Sequence, residues 1–202
     1  MAANIQTCSL LMPCWAADHV GRIVIRRGLV HACWRSIFTV TEELSDLSSR
    51  VADFLASLTT ITLATVDQHG EPFAAAVYFA HDEHLNLFFL SAQSTAHGAN
   101  LLAHSQVAGT AYEEHQEWKS LRGLQLRGVA GPVEFLEFPH AAAVYTKKHP
   151  FVSLATRGSP AELLKAMASA TLWKLTPTWI RMTDNSRGFG FKEELTFDQV
   201  GA

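Results

Sequence analysis

Residues 60 to 92 hold three apolar runs in succession with only turn residues between them, and this succession limits the fold more than any other feature. "TITLATV" (60–66) is short and β-branched, "DQHG" (67–70) is a turn tetrad, and "EPFAAAVYFAHD" (71–82) follows. A second turn at "HDEH" (81–84) leads into "LNLFFLSA" (85–92). Such runs bounded by turn residues are strands, and the spacing predicts a three-strand meander.

The rest of the chain extends that pattern. "TEELSDLSSRVADFLAS" (41–57) sets Leu44, Leu47, Val51, Phe54, Leu55 and Leu58 on one helical stripe. Thr41 stands as its N-cap, with Glu42 and Glu43 in the first turn, where the helix dipole favours acids. "QVAGTAYEE" (106–114) reads as a fourth strand, and the polar loop "EHQEWKS" leads to the long strand "LQLRGVAGPVEFLE" (124–137). Gly128 and Gly131 mark a bend or bulge in it. "FPHAAAVYTKKHP" and "SPAELLKAMASATL" read as helices, the second with Ser159 as N-cap, Pro160 at the first helical position and Glu162 completing a capping box. "WKLTPTWIRMTDN", the turn "NSRG" and "FGFKEELTF" close the chain. Strands here mostly follow strands, so the expected class is α+β, an antiparallel barrel of six or seven strands with three or four helices.

Composition narrows the function classes. At 202 residues, 48% hydrophobic and 17% charged, the chain is long enough for one core. A formal charge of −3 supplies no field to gather nucleic acid, and no apolar stretch reaches the length that spans a bilayer. The expectation is a cytoplasmic protein with no nucleic-acid or membrane partner. The first forty residues differ in character: they hold Cys8, Cys14 and Cys33, four arginines and a single acid, Asp18. No pair of those cysteines forms a CxxC motif, so no metal site is expected. The segment is poor in Ser and broken by Pro13 and Gly21, unlike a transit peptide, and "SLLMPCWAA" lacks the basic residue that precedes a signal sequence. Residues 1–40 are expected to be an extension outside the core fold, and residues 41–202 the barrel domain.

"LSAQSTAHGAN" (90–100) carries the chemistry. A strand ending near Leu90 and a helix starting near Thr95 would place Ser94 and Thr95 where caps sit. The first N–H groups of that helix lack internal acceptors. Hydroxyls, free N–H groups and the His97 imidazole at a positive helix end suit an anion, phosphate above all. Ordinary capping with an exposed His97 is the other reading of the same residues. The chain contains no nucleophile elbow, HExxH, P-loop or GxGxxG motif.

The order of helix, "ITLATVDQHGEPFAAAVYFAHDEHLNLFFLSAQSTAHGANLL", "LQLRGVAGPV" and "WKLTPTWIRMTDNSRGFGFKEEL" resembles the pyridoxamine 5'-phosphate oxidase-like family of flavin-binding split barrels over residues 42 to 197. The resemblance implies a six-stranded antiparallel split β-barrel with peripheral helices, and a homodimer with FMN in two clefts at the subunit interface. It implies a flavin ring along 75–79, with Val77, Tyr78 and Phe79 beside it. The phosphate would lie at Ser91, Ser94, Thr95 and His97. Gln125 would reach the ring from the partner subunit, and Trp118 and Lys119 would cover the ring or meet the phosphate. The implied activity is that of an FMN-dependent oxidoreductase on a small molecule, with the flavin performing the electron transfer.

Departures from the family pattern keep other readings in view. The oxidases proper carry basic residues on the second strand, where this chain has "FAAAVYFAHD", and they carry Arg or Lys at the helix start, where it has Ala96 and His97. Basic help for the phosphate would have to come from Lys119, Arg122 or Arg127. Ten histidines, among them His81, His84, His97, His104 and His115, admit a haem-binding barrel. Deazaflavin on the same scaffold and a cofactor-free structural or binding dimer are the further alternatives. The apolar "AAAVYF" and "LFFL" runs favour a dimer on physical grounds as well.

Overall fold

The computed structural model describes residues 22–25, 34–114, 117–154 and 169–197. The strands are β1 (Arg22–Ile25), β2 (Thr60–Val66), β3 (Pro72–His81), β4 (Leu87–Ala92), β5 (Gln106–Tyr112), β6 (Arg122–Pro132), β7 (Ala170–Asp184) and β8 (Lys192–Phe197). The helices are α1 (Trp34–Ser57), α2 (Ala96–Ala103), α3 (Phe138–Lys148) and α4 (Phe151–Leu154). Six strands close on themselves in the order β7, β4, β3, β2, β5, β6 and back to β7, every pairing antiparallel. This is the α+β split barrel that the sequence predicts.

The split follows from strand lengths. β7 has 15 residues and β4 has 6. On one edge β7 pairs continuously with β6; on the other its first part, 170–175, pairs with β4 and its later part, 179–183, pairs with β8. β8 therefore leaves the barrel as an extra strand, and β1 adds to it in parallel. β3 and β4 part company as well, since they pair only over 79–81 against 87–89. The edge of β3 from 72 to 78 that faces β4 is thus without a ladder.

One bulge rephases β7. Trp173 and Leu175 point inward, and after the register shift between Arg127 and Gly128 the inward residues become Ile180 and Met182. Gly128 is required there, because a Cβ at that position would stand 2.4 Å from the Thr176 carbonyl. The bend expected at Gly128 is present, whereas a Cβ at Gly131 would meet nothing within 4 Å.

Leu47, Val51, Phe54 and Leu55 of α1 are buried against the barrel core, as the helical stripe predicts. The helix starts at Trp34, so Thr41 lies inside it rather than capping it, and the expected boundary at 40/41 falls within a helix. Once a helix has begun upstream, a Thr needs no capping role, and the two acids after it carry no terminal signal. The strand expected over 124–137 stops at Pro132, where α3 takes over after a turn. The helix expected over 159–172 lies outside the described residues except at its end, where 170–172 belong to β7.

A second apolar cluster lies outside the barrel wall. Ala141 and Tyr145 of α3 pack on Ala80, Phe88 and Leu172, so α3 covers the outer face where β3, β4 and β7 adjoin. Lys148, at the end of α3, donates from Nζ to the Leu55 carbonyl at 2.8 Å and lies 4.1 Å from the centre of the Phe79 ring. It adds a second donor to a carbonyl in the last turn of α1 that also accepts from the Leu58 N–H at 3.4 Å. Burial pushes its pKa down to about 8. None of the described helices is long and apolar enough to cross a membrane.

Candidate functional site

The junction between β4 and α2 draws Ser91, Thr95 and His97 into one hydrogen-bonded chain, and its direction can be worked out from the donors. Thr95, the N-cap, donates its hydroxyl proton to the Ala92 carbonyl at 2.8 Å and accepts from the Gly98 N–H at 3.1 Å. Its proton is thus committed, so in the 3.1 Å contact between the two hydroxyls Ser91 is the donor. Ser91 then has only lone pairs left for His97 Nε2, 2.6 Å away, and the imidazole must donate from Nε2. Burial holds the His97 pKa below its ordinary value, which keeps the ring neutral at physiological pH. The site is therefore polar rather than cationic.

Backbone geometry adds to the donor set. Three N–H groups open α2 without an intrahelical acceptor. Thr95 takes the one of Gly98; those of Ala96 and His97 have no partner among the described residues. Gly98 lets β4 and α2 approach, since a Cβ there would stand 2.4 Å from the Ala92 carbonyl. Ser91 is itself anchored, its carbonyl accepting from Trp173 Nε1 at 3.0 Å, and Asn100 ties α2 to β2 through Thr65 Oγ1 at 3.1 Å. Ser94 is exposed and takes no part in the chain.

The junction opens beside the unpaired edge of β3. Val77 and Phe79 turn their side chains into the barrel core, at 7% and 0% exposure, and the Phe79 N–H is taken by the Thr59 carbonyl, so the open edge of β3 presents the backbone groups of Ala76 and Tyr78 instead. Tyr78 alternates outward, 54% exposed, and meets His149 and Phe151 edge-on with ring centres 5.7 and 5.9 Å apart. His149 is buried and donates from Nε2 to the Phe79 carbonyl at 2.8 Å. Sequence reading missed this histidine. It follows a helix and precedes Pro150, and nothing local says that α3 ends at the barrel split.

The remaining site candidates lie elsewhere on the outer face. The ladder registers align Ala76, Thr62, Thr110, Gln125, Arg181 and Glu194 in one row across β3, β2, β5, β6, β7 and β8. Gln125 thus stands three strands from Ala76, about 14 Å at roughly 4.8 Å per strand. That is beyond side-chain reach within one chain. Its Oε1 accepts from Arg181 Nη1 at 3.4 Å, which leaves the amide nitrogen as the free end. Arg181 pairs with the buried Glu194 at 2.6 Å, and Trp179, with the guanidinium groups of Arg127 and Arg181 at 4.5 and 4.8 Å from its ring centre, donates to Glu194 at 2.9 Å. The period-two spacing of Trp179 and Arg181 puts them on a shared face. Glu194 had no such signal, because its place depends on the β7–β8 register.

Trp118 and Lys119 occupy the tip of the β5–β6 hairpin, and both are exposed. Lys119 Nζ lies 5.4 Å from the Trp118 ring centre, and Phe189 meets the same ring edge-on at 6.0 Å. Asn185 fixes this tip by donating to the Trp118 carbonyl at 2.6 Å and accepting from the Gly190 N–H at 2.9 Å. Arg122 is turned away from the junction, bound to Glu113. Among the described residues no group of three or more His, Cys, Asp and Glu could hold a metal ion, and His115 lies outside them.

Comparison with known proteins gives this geometry a setting. Residues 47–184 match the family model described as pyridoxamine 5'-phosphate oxidase. UPF0306 protein YhbP of Escherichia coli O157:H7 (strain EC4115 / EHEC) is 27% identical over 128 residues, 63% of this chain and 78% of that protein. Atu2129 of Agrobacterium tumefaciens str. C58, a protein of unknown function, has a TM-score of 0.56 at 22% identity, over 69% of this chain and 57% of that one. A heme binding protein from Mycobacterium smegmatis has a TM-score of 0.57 at 20% identity, over 74% of this chain and 57% of its own. The chain spans a little over half the length of these two structures, and the likeness to them is one of fold.

Proposed function

Because the chain belongs to the pyridoxamine 5'-phosphate oxidase family, we propose that it binds FMN at the split between β3 and β4 and serves as an oxidoreductase for a small molecule. Two chains complete each site in a homodimer. The observation that carries this reading is the convergence of Ser91, Thr95, His97 and two free N–H groups at the start of α2, beside a strand edge without a ladder. Such a donor set fits a phosphate: the positive helix end supplies field, and the Ser91 hydroxyl and the imidazole supply direction.

When bound, the flavin supplies hydride or electron transfer. The protein's own part is to hold and orient. His97 would hold a phosphate by turning its Nε2–H away from Ser91, and Ser91 by turning its hydroxyl proton away from Thr95. The neutral ring contributes one donor and no charge, so a phosphate is held less firmly here than by an Arg or Lys. Ala76 and Tyr78 would offer the backbone groups of the β3 edge that β4 leaves unpaired, and Tyr78 its ring face. Arg181 holds the Gln125 amide with its nitrogen outward, ready to donate to the ring bound by the other chain.

The dimer is supported by the outer face. Ala74, Ala64 and Ala108 form a flat row beside that of Ala76, Thr62 and Thr110, a surface onto which a second copy can close. A two-fold axis running along the strands between β2 and β5 would set the Gln125 of one chain over Ala76 of the other, because the two share a register row. Haem is the second reading, favoured by the likeness to the M. smegmatis heme binding protein. Parallel absorbance titrations with FMN and with hemin discriminate the two. The FMN reading requires saturable perturbation of the flavin bands in a dimeric sample, and a Soret shift with no response to FMN would replace it by the haem reading.

A further inference from the structure

Two pairs of exposed aromatic rings lie at the same end of the outer face. Tyr78 and Phe151, 54% and 45% exposed, flank the mouth of the β3–β4 split and are braced by His149. Trp118 and Phe189, 60% and 84% exposed, crown the hairpin tips and are braced by Asn185. Exposed rings on mobile loops would need no explanation. These sit on a backbone pinned by hydrogen bonds, so their exposure is built in.

Their levels on the barrel match. Tyr78 pairs with Thr60, two residues before Thr62, and Tyr112 lies two residues after Thr110, which pairs with Thr62. Tyr112 pairs in turn with Gly123, next to the strand start from which the Trp118 loop projects. Both aromatic pairs therefore lie at one end of the face, one on the β3 side and one on the β6 side. The same two-fold that would lay Gln125 over the partner's Ala76 exchanges those sides and keeps the level.

We propose that the Trp118–Phe189 tip of each chain closes over the Tyr78–Phe151 mouth of the other, forming a composite pocket for a flat aromatic substrate at the flavin. The inference rests on the FMN-dimer reading above. Four ring faces with few charges select a planar, weakly polar molecule such as a quinone or heterocycle, and Lys119 beside Trp118 places a cation at the rim. It assigns Phe189, Asn185 and Phe151 to substrate enclosure and leaves the phosphate junction to the cofactor.

The test uses full-length dimer saturated with FMN and menadione as the flat probe, followed by its perturbation of the flavin spectrum. Trp118→Ala, Phe189→Ala and Phe151→Ala are each expected to weaken menadione about three- to tenfold, as the loss of one aromatic contact would. FMN affinity should change less than about twofold in Phe189→Ala and Phe151→Ala, a ratio that separates enclosure from cofactor holding. Iodide quenching of the bound flavin should rise in the same variants. Mixed dimers of a Trp118→Ala chain with a Phe151→Ala chain should regain wild-type menadione affinity in half their sites. Menadione that fails to bind the FMN-loaded wild type, binds all three variants normally, or finds no restored sites in the mixed dimer overturns the proposal and leaves FMN binding standing. A wild type that takes no FMN instead refutes the reading beneath it.

Discussion

Replacing Gly98 by Ala tests whether the β4–α2 junction is as tight as its contacts imply. In an exposed helix the change would stabilise by about 1 kcal/mol, since Ala is the better helix former. Here the added Cβ would stand 2.4 Å from the Ala92 carbonyl, 3.0 Å from Gln93 Cα and 3.0 Å from Thr95 Oγ1. Two of those atoms are backbone, so relief requires β4 and α2 to separate. Overpacking of this kind costs roughly 1–3 kcal/mol, and the loss of the Thr95 cap on the Gly98 N–H adds about 1 kcal/mol. Against the propensity gain the net is a loss of about 1–3 kcal/mol. At roughly 2–4 °C per kcal/mol for a chain of this size, Tm falls by about 4–8 °C at the middle of that range. Urea unfolding and thermal melts of the Gly98→Ala variant read this directly, and an FMN titration should show weakened binding because Ser91, Thr95 and His97 no longer converge. A variant more stable than wild type with unchanged FMN affinity would refute the argument, since it would mean the junction has room.

Three further outcomes follow from individual contacts. Glu194→Gln should cost about 1–3 kcal/mol in urea unfolding: the buried carboxylate loses its ion pair with Arg181 while the Trp179 N–H keeps an acceptor, and an unchanged midpoint would show that the pair contributes nothing. The folded His97 pKa is depressed, so its share of stability is present above the unfolded value of about 6.5 and is lost as pH falls through the folded one. His97→Gln should flatten the acid limb of the apo-protein's stability profile, and an identical limb would contradict the burial of the ring. Lys148 is likewise depressed, to about 8, so the unfolded chain holds its proton more tightly between about pH 8 and 10.5 and wild-type stability relative to Lys148→Met should rise across that window. A constant difference would mean that the ammonium is fully solvated.

Much of the barrel was legible because its strands are short, alternate cleanly and follow one another through Asp-, Gly- and His-containing turns. "TITLATV" and "LNLFFLSA" needed no tertiary information. The start of α1 was not legible: Thr41 followed by two acids imitates a cap, and the helix already under way from Trp34 has no such signal. β7 alternates, but its phase reverses at the bulge opposite Gly128, and a reversal caused by the neighbouring strand cannot be read from one strand alone. At the site, Thr95 and His97 could be placed because a cap and its first turn are local. The committed direction of the Ser91–Thr95–His97 chain, the burial of Val77 and Phe79, and the bond from His149 to β3 depend on packing between distant segments.

The central claim is that the start of α2 receives a phosphate. Comparing FMN with riboflavin, which lacks the phosphate, isolates that contact in a single ratio of dissociation constants measured by flavin fluorescence. Wild type should prefer FMN by about tenfold or more, the worth of one charge-assisted hydrogen bond of about 1.4 kcal/mol or better, and Ser91→Ala with His97→Ala should bring the two ligands close to equal affinity. Equal affinities in the wild type, or a preference for FMN that survives both substitutions, would place the phosphate elsewhere and contradict the account.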